Sequence, residues 1–251
     1  MDPDAQNSIA GTDRSSDTRA RILDAALSEF SSLGMAGARM DRIAAAAGVN
    51  KALLYYHFDS KENLYIAAVE MISAKIRDQS MAVLMKDVSA GERLVRTALN
   101  HFDRILAQGE FQRLMQQEMM RLKQGEEGAL QIVVTRVFAP LFAMYEAIVV
   151  EGIKTGELIE AEPLQMHLAA LGANVLYFMA APVWRMVLPF DPFAPDVLKA
   201  RRRATVEFLG KTVFMDRSHG AEVAARVLED TPMPELPSTQ HLYGRTNERK
   251  K

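Results

Sequence analysis

Residues 39–65, RMDRIAAAAGVNKALLYYHFDSKENLY, decide the fold of this chain. They predict two short helices joined by a tight turn, with a third helix starting behind them. Ile43, Ala44 and Ala47 put apolar side chains on one face of the first helix. Gly48 stands where the chain leaves that helix, a position that calls for left-handed backbone, which glycine adopts without steric penalty. Val49 plugs the corner, and Asn50 is a good N-cap for a second helix over roughly 51–57. Leu54 and Phe58 face back into a small core, leaving Lys51, Ala52, Tyr55, Tyr56 and His57 on or near the opposite face. That face suits a DNA major groove, where amines and hydroxyls meet phosphates and small groups approach base edges. A helical hairpin that merely packs is the plain alternative, but it has no use for Lys51, Tyr55, Tyr56, His57 and Lys61 together.

Outward from this stretch, Asp59 or Ser60 caps a long helix with Lys61 poised near a phosphate at its start. Its apolar stripe is Ile66, Val69, Ile72 and Ile76, and it runs to about Leu84. Upstream, Asp17 or Thr18 caps a first helix with Ile22, Ala26 and Phe30 inward, and Gly34 ends it. Residues 1–16 are rich in Asp, Ser, Gly and Asn and are expected to be a disordered arm. Arg14 in that arm is either solvated or reaches a neighbouring minor groove.

Residues 90–215 predict further helices and no strand. Ser89 caps one that carries Leu94, Ala98, Phe102 and Ile105 and closes at Gly109; another spans 111–123. A long apolar one spans about 126–154, with Pro140 expected to kink it. Pro163 starts a helix through about Ala181, which Pro182 breaks, and a last helix runs over about 196–214. Residues 217–251 are expected to be a largely disordered tail, with a turn or two over 222–229.

The chain has 251 residues, no cysteine and a net charge of −2. Without cysteine there is no disulfide framework and no thiolate metal site. The polar N-terminus and the shortness of every uninterrupted apolar run argue for a soluble, cytoplasmic protein with no membrane partner. The charge is uneven. Arg14, Arg19, Arg21, Arg39, Arg42, Lys51 and Lys61 outnumber Asp17, Asp24, Glu29, Asp41 and Asp59 by two, so the remainder carries −4. A local basic face fits this better than a nucleic-acid coat. Enzyme signatures do not appear: the five histidines show no metal-ligand spacing, and there is no Glu-x-x-His pair, phosphate loop or nucleophile elbow. No cofactor and no metal are expected.

Methionines and aromatics crowd the middle helices: Phe102, Met115, Met119, Phe142, Tyr145, Tyr177 and Phe178. They read either as plain core or as the wall of an adaptable apolar pocket. His101, Glu118, Arg121, Asn174 and Arg185 are polar groups in apolar company, candidates to orient a ligand or to satisfy internal bonds. Trp184 is a candidate pocket wall or interface anchor. The segments 130–150, 164–181 and 197–214 are apolar on most of their circumference, more than one domain of this size can cover. A second copy of the chain is expected to cover the surplus.

The spacing Ile43-Ala44, Gly48-Val49, Leu54-Tyr55, His57-Phe58, Ser60-Lys61-Glu62 and Leu64 resembles the helix-turn-helix of the tetracycline-repressor (TetR/AcrR) family. The likeness covers about 18–69. Beyond it the chain resembles the family in its all-helical plan and in the glycine-flanked turn over 151–158. The resemblance implies an all-α fold, with a three-helix DNA-binding domain over 17–65 joined to a helical effector-binding and dimerisation domain over 66–216. It implies DNA contacts from Arg39, Arg42, Asn50, Lys51, Ala52, Tyr55, Tyr56, His57 and Lys61. It also implies a homodimer through the helices at about 163–181 and 196–214, a small-molecule effector, and repression of a palindromic operator. Arg39 departs from the family, which usually places a threonine there; an arginine also pairs with phosphate, bidentately. The rival readings are a helical adaptor that binds protein only, or a helical enzyme.

Overall fold

The structure is a computed structural model that describes residues 3–126 and 128–235, with residues 3–15 as backbone only. Its helices are α1 (Pro3–Gly37), α2 (Met40–Ala47), α3 (Lys51–Phe58), α4 (Lys61–Leu84), α5 (Ala90–Ala107) and α6 (Gly109–Lys123). They continue as α7 (Leu130–Lys154), α8 (Pro163–Met179), α9 (Ala181–Val187), α10 (Pro195–Thr212) and α11 (Arg217–Asp230). Among the described residues there is no strand, only an isolated antiparallel bridge between Leu158 and Phe214. The all-α expectation holds.

The chain forms two compact units. One contains residues up to 75 together with 110–136; the other contains 76–109 and 137 onward. This departs from the expected division at 65/66, because α6 folds with the N-terminal helices rather than with the helices that follow it. In the first unit, Ile22, Leu23, Ala26 and Phe30 of α1, Ile43 and Ala47 of α2, Leu54 and Phe58 of α3, and Leu64 and Val69 of α4 are all buried. The Phe30 and Tyr65 rings meet edge to face at 5.0 Å.

In the second unit, Leu94, Val95, Ala98 and Leu99 of α5 share one core with Tyr145 and Val149 of α7, Val206 and Leu209 of α10, and Val223 and Val227 of α11. The turn after α7 is closed by Gly156 in left-handed backbone (φ 73°), with the Leu158 N–H donating to Gly152 O at 3.0 Å. Glu157 in that turn reaches the start of α5, accepting from the Ser89 hydroxyl at 2.5 Å and the Gly91 N–H at 2.9 Å. The expected glycine-flanked turn is thus present, and it fastens α5.

Four expectations need correction. Residues 3–16 are helical rather than a disordered arm; Pro3 suits a helix start, and extending an existing helix costs far less than nucleating one. The Arg14 side chain lies outside the described residues. Arg217–Asp230 is a full helix rather than tail. Asp216 caps it, accepting from the N–H groups of Ser218 and His219, and its one apolar stripe is buried. The expected disorder over 236–251 lies outside the described residues. The expected break at Pro182 is present, as a 67° bend between α8 and α9, but helix rather than loop resumes there, because proline's fixed φ fits the first turn of α9. Finally, α7 is one rod long and apolar enough, by length and composition, to cross a membrane. Counting uninterrupted apolar residues missed it, since its few polar residues are spread along the helix; the core helix of a soluble protein has the same look.

Pro140 does not break α7. It cannot donate to the carbonyl one turn back, and the turn before it, Val134–Phe138, widens to π geometry. A second π turn, Leu168–Gly172, lies inside α8.

Candidate functional site

The turn between α2 and α3 is built as the sequence predicts. Gly48 sits at φ 66°, ψ 36°, and the Val49 N–H donates back to Ala44 O at 3.0 Å. These are the bonds of a helix stop with a left-handed residue. Asn50 then caps α3, its side-chain oxygen accepting from the Leu53 N–H at 2.8 Å, a contact worth about 1 kcal/mol. With Leu54 and Phe58 buried, α3 shows solvent Lys51, Ala52, Tyr55 and Tyr56, the last 79% exposed. His57 is half-buried, its ring 5.3 Å from that of Tyr56.

Arg39 and Arg42 are exposed at the start of α2, and the Arg39 N–H donates to Glu29 Oε1 at 3.3 Å. Three predicted DNA contacts, Asn50, Lys51 and Lys61, are already engaged within the chain. The Asn50 carboxamide oxygen is taken by the cap. Lys51 Nζ lies 2.9 Å from Asp41 Oδ1, and the hydrogen bond and charge of Asp41 raise its pKa. Both groups are largely exposed, so the pair holds little energy and opens readily. Lys61 Nζ reaches Ala36 O at 3.4 Å. Asp59 at the end of α3 takes φ 59°, ψ −47°, and the Ser60 N–H bonds Phe58 O across it. This γ-turn swings the chain into α4, whose first turn Ser60 caps by accepting from the Asn63 N–H at 3.0 Å.

The predicted ligand residues do not form one group. Met115, Glu118, Met119 and Arg121 belong to the first unit. There Glu118 is fully buried and saturated: it accepts from the Tyr65 hydroxyl at 2.6 Å, Arg121 at 2.9 Å and the Leu130 N–H at 3.1 Å. Arg121 also holds Glu126 at 3.0 Å. These two are structural members of a buried network, not free groups for a ligand, and Met119 is exposed.

In the second unit, Asn174 is likewise spent: it donates to Ala98 O at 3.0 Å and accepts from the Thr205 hydroxyl at 3.3 Å. Phe102, Tyr177 and Phe178 pack with Phe193 as a closed aromatic core, and Tyr177 gives its hydroxyl to Pro192 O. Arg185 and Met186 of α9 are exposed.

His101, Phe142 and Tyr145 remain, and the structure adds Arg104, His167 and Ser80 to them. The His167 ring stands edge-on to Tyr145 at 4.8 Å and to Phe142 at 5.3 Å. Arg104 donates to the Ser80 hydroxyl. Burial, with the nearby Arg104 and His167, pulls the pKa of His101 down to about 3. The only sequence signal for Arg104 was its place one turn after His101, on the same face of α5; nothing marked His167.

A stripe of apolar side chains on α8 and α10 is exposed: Leu164, Leu168, Leu176, Met179 and Phe208. Leu171 and Val175, on the same helix, instead pack against the cores of their own unit.

Residues 22–68 match the family model described as bacterial regulatory proteins, tetR family. Residues 88–209 match the one described as tetracyclin repressor-like, C-terminal domain. The chain belongs to the TetR family.

Among curated TetR-family relatives, the HTH-type transcriptional repressor NicS of Pseudomonas putida is 39% identical over 79 residues. That match covers 32% of this chain and 37% of NicS. The HTH-type transcriptional regulator RutR of Escherichia coli is 53% identical over 51 residues, 20% of this chain and 24% of RutR. The chain thus spans well under half the length of these relatives. A solved regulator from Saccharomonospora viridis, in complex with choline, superposes with TM-score 0.63 over 80% of this chain and 100% of its own, at 16% identity. FadR of Bacillus subtilis, in complex with stearoyl-CoA, gives TM-score 0.55 at 19% identity over 76% of this chain and 96% of that one. At such identities the likeness establishes the TetR-type fold.

Proposed function

We propose that this TetR-family chain is a homodimeric transcriptional repressor that binds a roughly palindromic DNA operator and is released from it by a small molecule. The observation that carries the reading is α3: a capped helix behind a left-handed glycine turn, with Lys51, Ala52, Tyr55 and Tyr56 outward and two aliphatic-aromatic anchors inward. Lys51, Tyr56, Lys61, Arg39 and Arg42 serve phosphates, while Ala52 and Tyr55 approach base edges. The exposed stripe of α8 and α10 meets its twin in a second copy. Two-fold symmetry then sets the recognition helices about 34–36 Å apart, or a multiple of that.

The fold neighbours solved with choline and with stearoyl-CoA support a second unit that accepts small ligands of unlike size. The protein acts in the cytoplasm as a regulator and not as an enzyme. The test is selection of bound fragments from genomic DNA by the purified protein, followed by footprinting. A shared two-fold site supports the reading; binding without sequence preference favours the adaptor. With an effector in hand, coupling of about 1–3 kcal/mol lowers operator affinity roughly 5- to 150-fold, and operator weakens effector binding by the same factor.

A further inference from the structure

One cluster in the second unit gathers several buried polar atoms that have no partner. The fully buried charges are paired: Glu118 with Arg121, Glu92 with Arg96, and Arg202 with Asp103 through two bonds of 2.7 Å. Arg104 on α5 is different. Its guanidinium is desolvated, enough to bring its pKa down to about 10. Its one side-chain bond is to the neutral Ser80 hydroxyl, and among the described residues no carboxylate stands within ion-pair distance.

Nearby are polar atoms that are buried without partners: Nδ1 of His101, beside both Arg104 and His167, Nδ1 of His167, and the hydroxyl of Tyr145, whose ring packs on His167. Tyr145 is only 2% exposed. A half-buried cation without a counter-ion, beside orphaned buried atoms of two imidazoles and a phenol, destabilises the free protein. Such groups persist where function uses them. The backbone gives an independent sign. The π turn Leu168–Gly172, which no proline accounts for, begins at the residue after His167. Such turns are rare and recur beside ligand sites.

We propose that His101, Arg104, Phe142, Tyr145 and His167 form the effector site, and that the effector is a small organic carboxylate with an apolar body. Arg104 offers two parallel N–H donors that match a carboxylate, Tyr145 donates a third bond, and the imidazoles complete the polar end. The Phe142 and Tyr145 rings take the apolar end. One cation among neutral donors balances one negative charge, so a monoanion fits and a phosphate dianion does not. Two imidazoles would also suit a metal, but a buried guanidinium repels a cation.

This assignment rests on the effector-regulated reading, and its test separates the two. The full-length protein, free of DNA, is titrated calorimetrically with benzoate, phenylacetate and octanoate, and with benzamide, octanamide and octylamine as uncharged or cationic counterparts. At least one acid should bind while its amide does not. Arg104→Met should weaken that acid roughly 10- to 100-fold, while raising the melting temperature of the free protein, because it removes a desolvated charge that has no counter-ion. Tyr145→Phe should weaken it less and leave the fold intact. Failure of all three acids at millimolar concentration, equal binding of acid and amide, or unchanged binding to Arg104→Met would each overturn the assignment. An acid that binds here yet leaves operator affinity unchanged would sustain the site and defeat the effector-regulated reading instead.

Discussion

The Tyr65 hydroxyl donates to Glu118 Oε1 across 2.6 Å, tying the start of α4, just behind the recognition helix, to α6. Both residues are buried, and burial together with this bond pushes the phenol pKa up. Glu118 has two further partners, Arg121 and the Leu130 N–H. Tyr65→Phe therefore leaves the carboxylate satisfied and should cost about 1–2 kcal/mol. Glu118→Leu strands the phenol and an amide and should cost more, about 3 kcal/mol. Urea unfolding of both variants checks the order; a larger loss for Tyr65→Phe would contradict the network as described.

The ion pair of Lys51 with Asp41 competes with the phosphate contact proposed for that lysine. Asp41→Asn should free the lysine and steepen the salt dependence of DNA binding by about one unit, on operator and random DNA alike. Lys61→Ala should reduce that slope by about one unit. Fluorescence anisotropy across a salt series measures both, and a change in base preference at constant slope would rule out the phosphate role.

Leu168 and Leu176 point outward from α8, whereas Leu171 and Val175 face their own cores. Leu176→Arg should leave the protomer folded and abolish association, since a buried unpaired charge at an interface costs on the order of 3–5 kcal/mol. Leu171→Arg should instead damage the protomer. Light scattering with circular dichroism distinguishes them; a Leu176→Arg protein that stays dimeric moves the interface elsewhere.

α10 and α11 touch through glycines. A Cβ at Gly220 would run into Gly210 O and lie 2.8 Å from the Phe214 ring, closer than real Cβ atoms come. Gly220→Ala should force the helices apart and destabilise the protein by about 1–3 kcal/mol. Hydrogen exchange should show α11 losing protection first, and an unchanged exchange pattern would refute the close packing.

α11 is also held by charge. Glu92 bonds Arg226 at 2.8 Å and Arg96 at 2.8 Å, and Arg96 bonds Asp230 at 2.6 Å. Burial alone would raise the Glu92 pKa, but the bonds from Arg226 and Arg96 outweigh it and hold the carboxyl below its ordinary value of 4.5. A carboxylate depressed in the folded state contributes stability that is present above its unfolded pKa and lost as pH falls through the folded one. Glu92→Gln should therefore flatten the loss of stability on acidification below about pH 4.5. Thermal melts of both proteins between neutral and acid pH read this directly, and parallel curves would exclude Glu92 as the titrating group.

The sequence by itself determined the local devices. The glycine stop at Gly48, the Asn50 and Ser89 caps, the inward Leu54 and Phe58, and the turn around Gly156 all follow from rules that act within a few residues, so they were legible before any fold was known. The outward face of α3 followed from the same periodicity. What only tertiary structure decided was which polar groups spend their bonds on the chain itself. Glu118, Arg121 and Asn174 looked like ligand groups, but Glu118 and Asn174 spend their bonds on Tyr65, Leu130, Ala98 and Thr205 of other helices, and Arg121 is held by Glu118 and Glu126. His167 and Arg104 looked ordinary, and became notable because nothing among the described residues satisfies the buried Nδ1 of the one or pairs the charge of the other. The ends were misjudged for a related reason. Helix propagation carried α1 back to Pro3, and α11 forms because Gly210 and Gly220 allow close approach while Arg96 and Glu92 wait on α5. Composition describes a segment in isolation, whereas burial and hydrogen-bond satisfaction depend on neighbours that only the folded chain brings together.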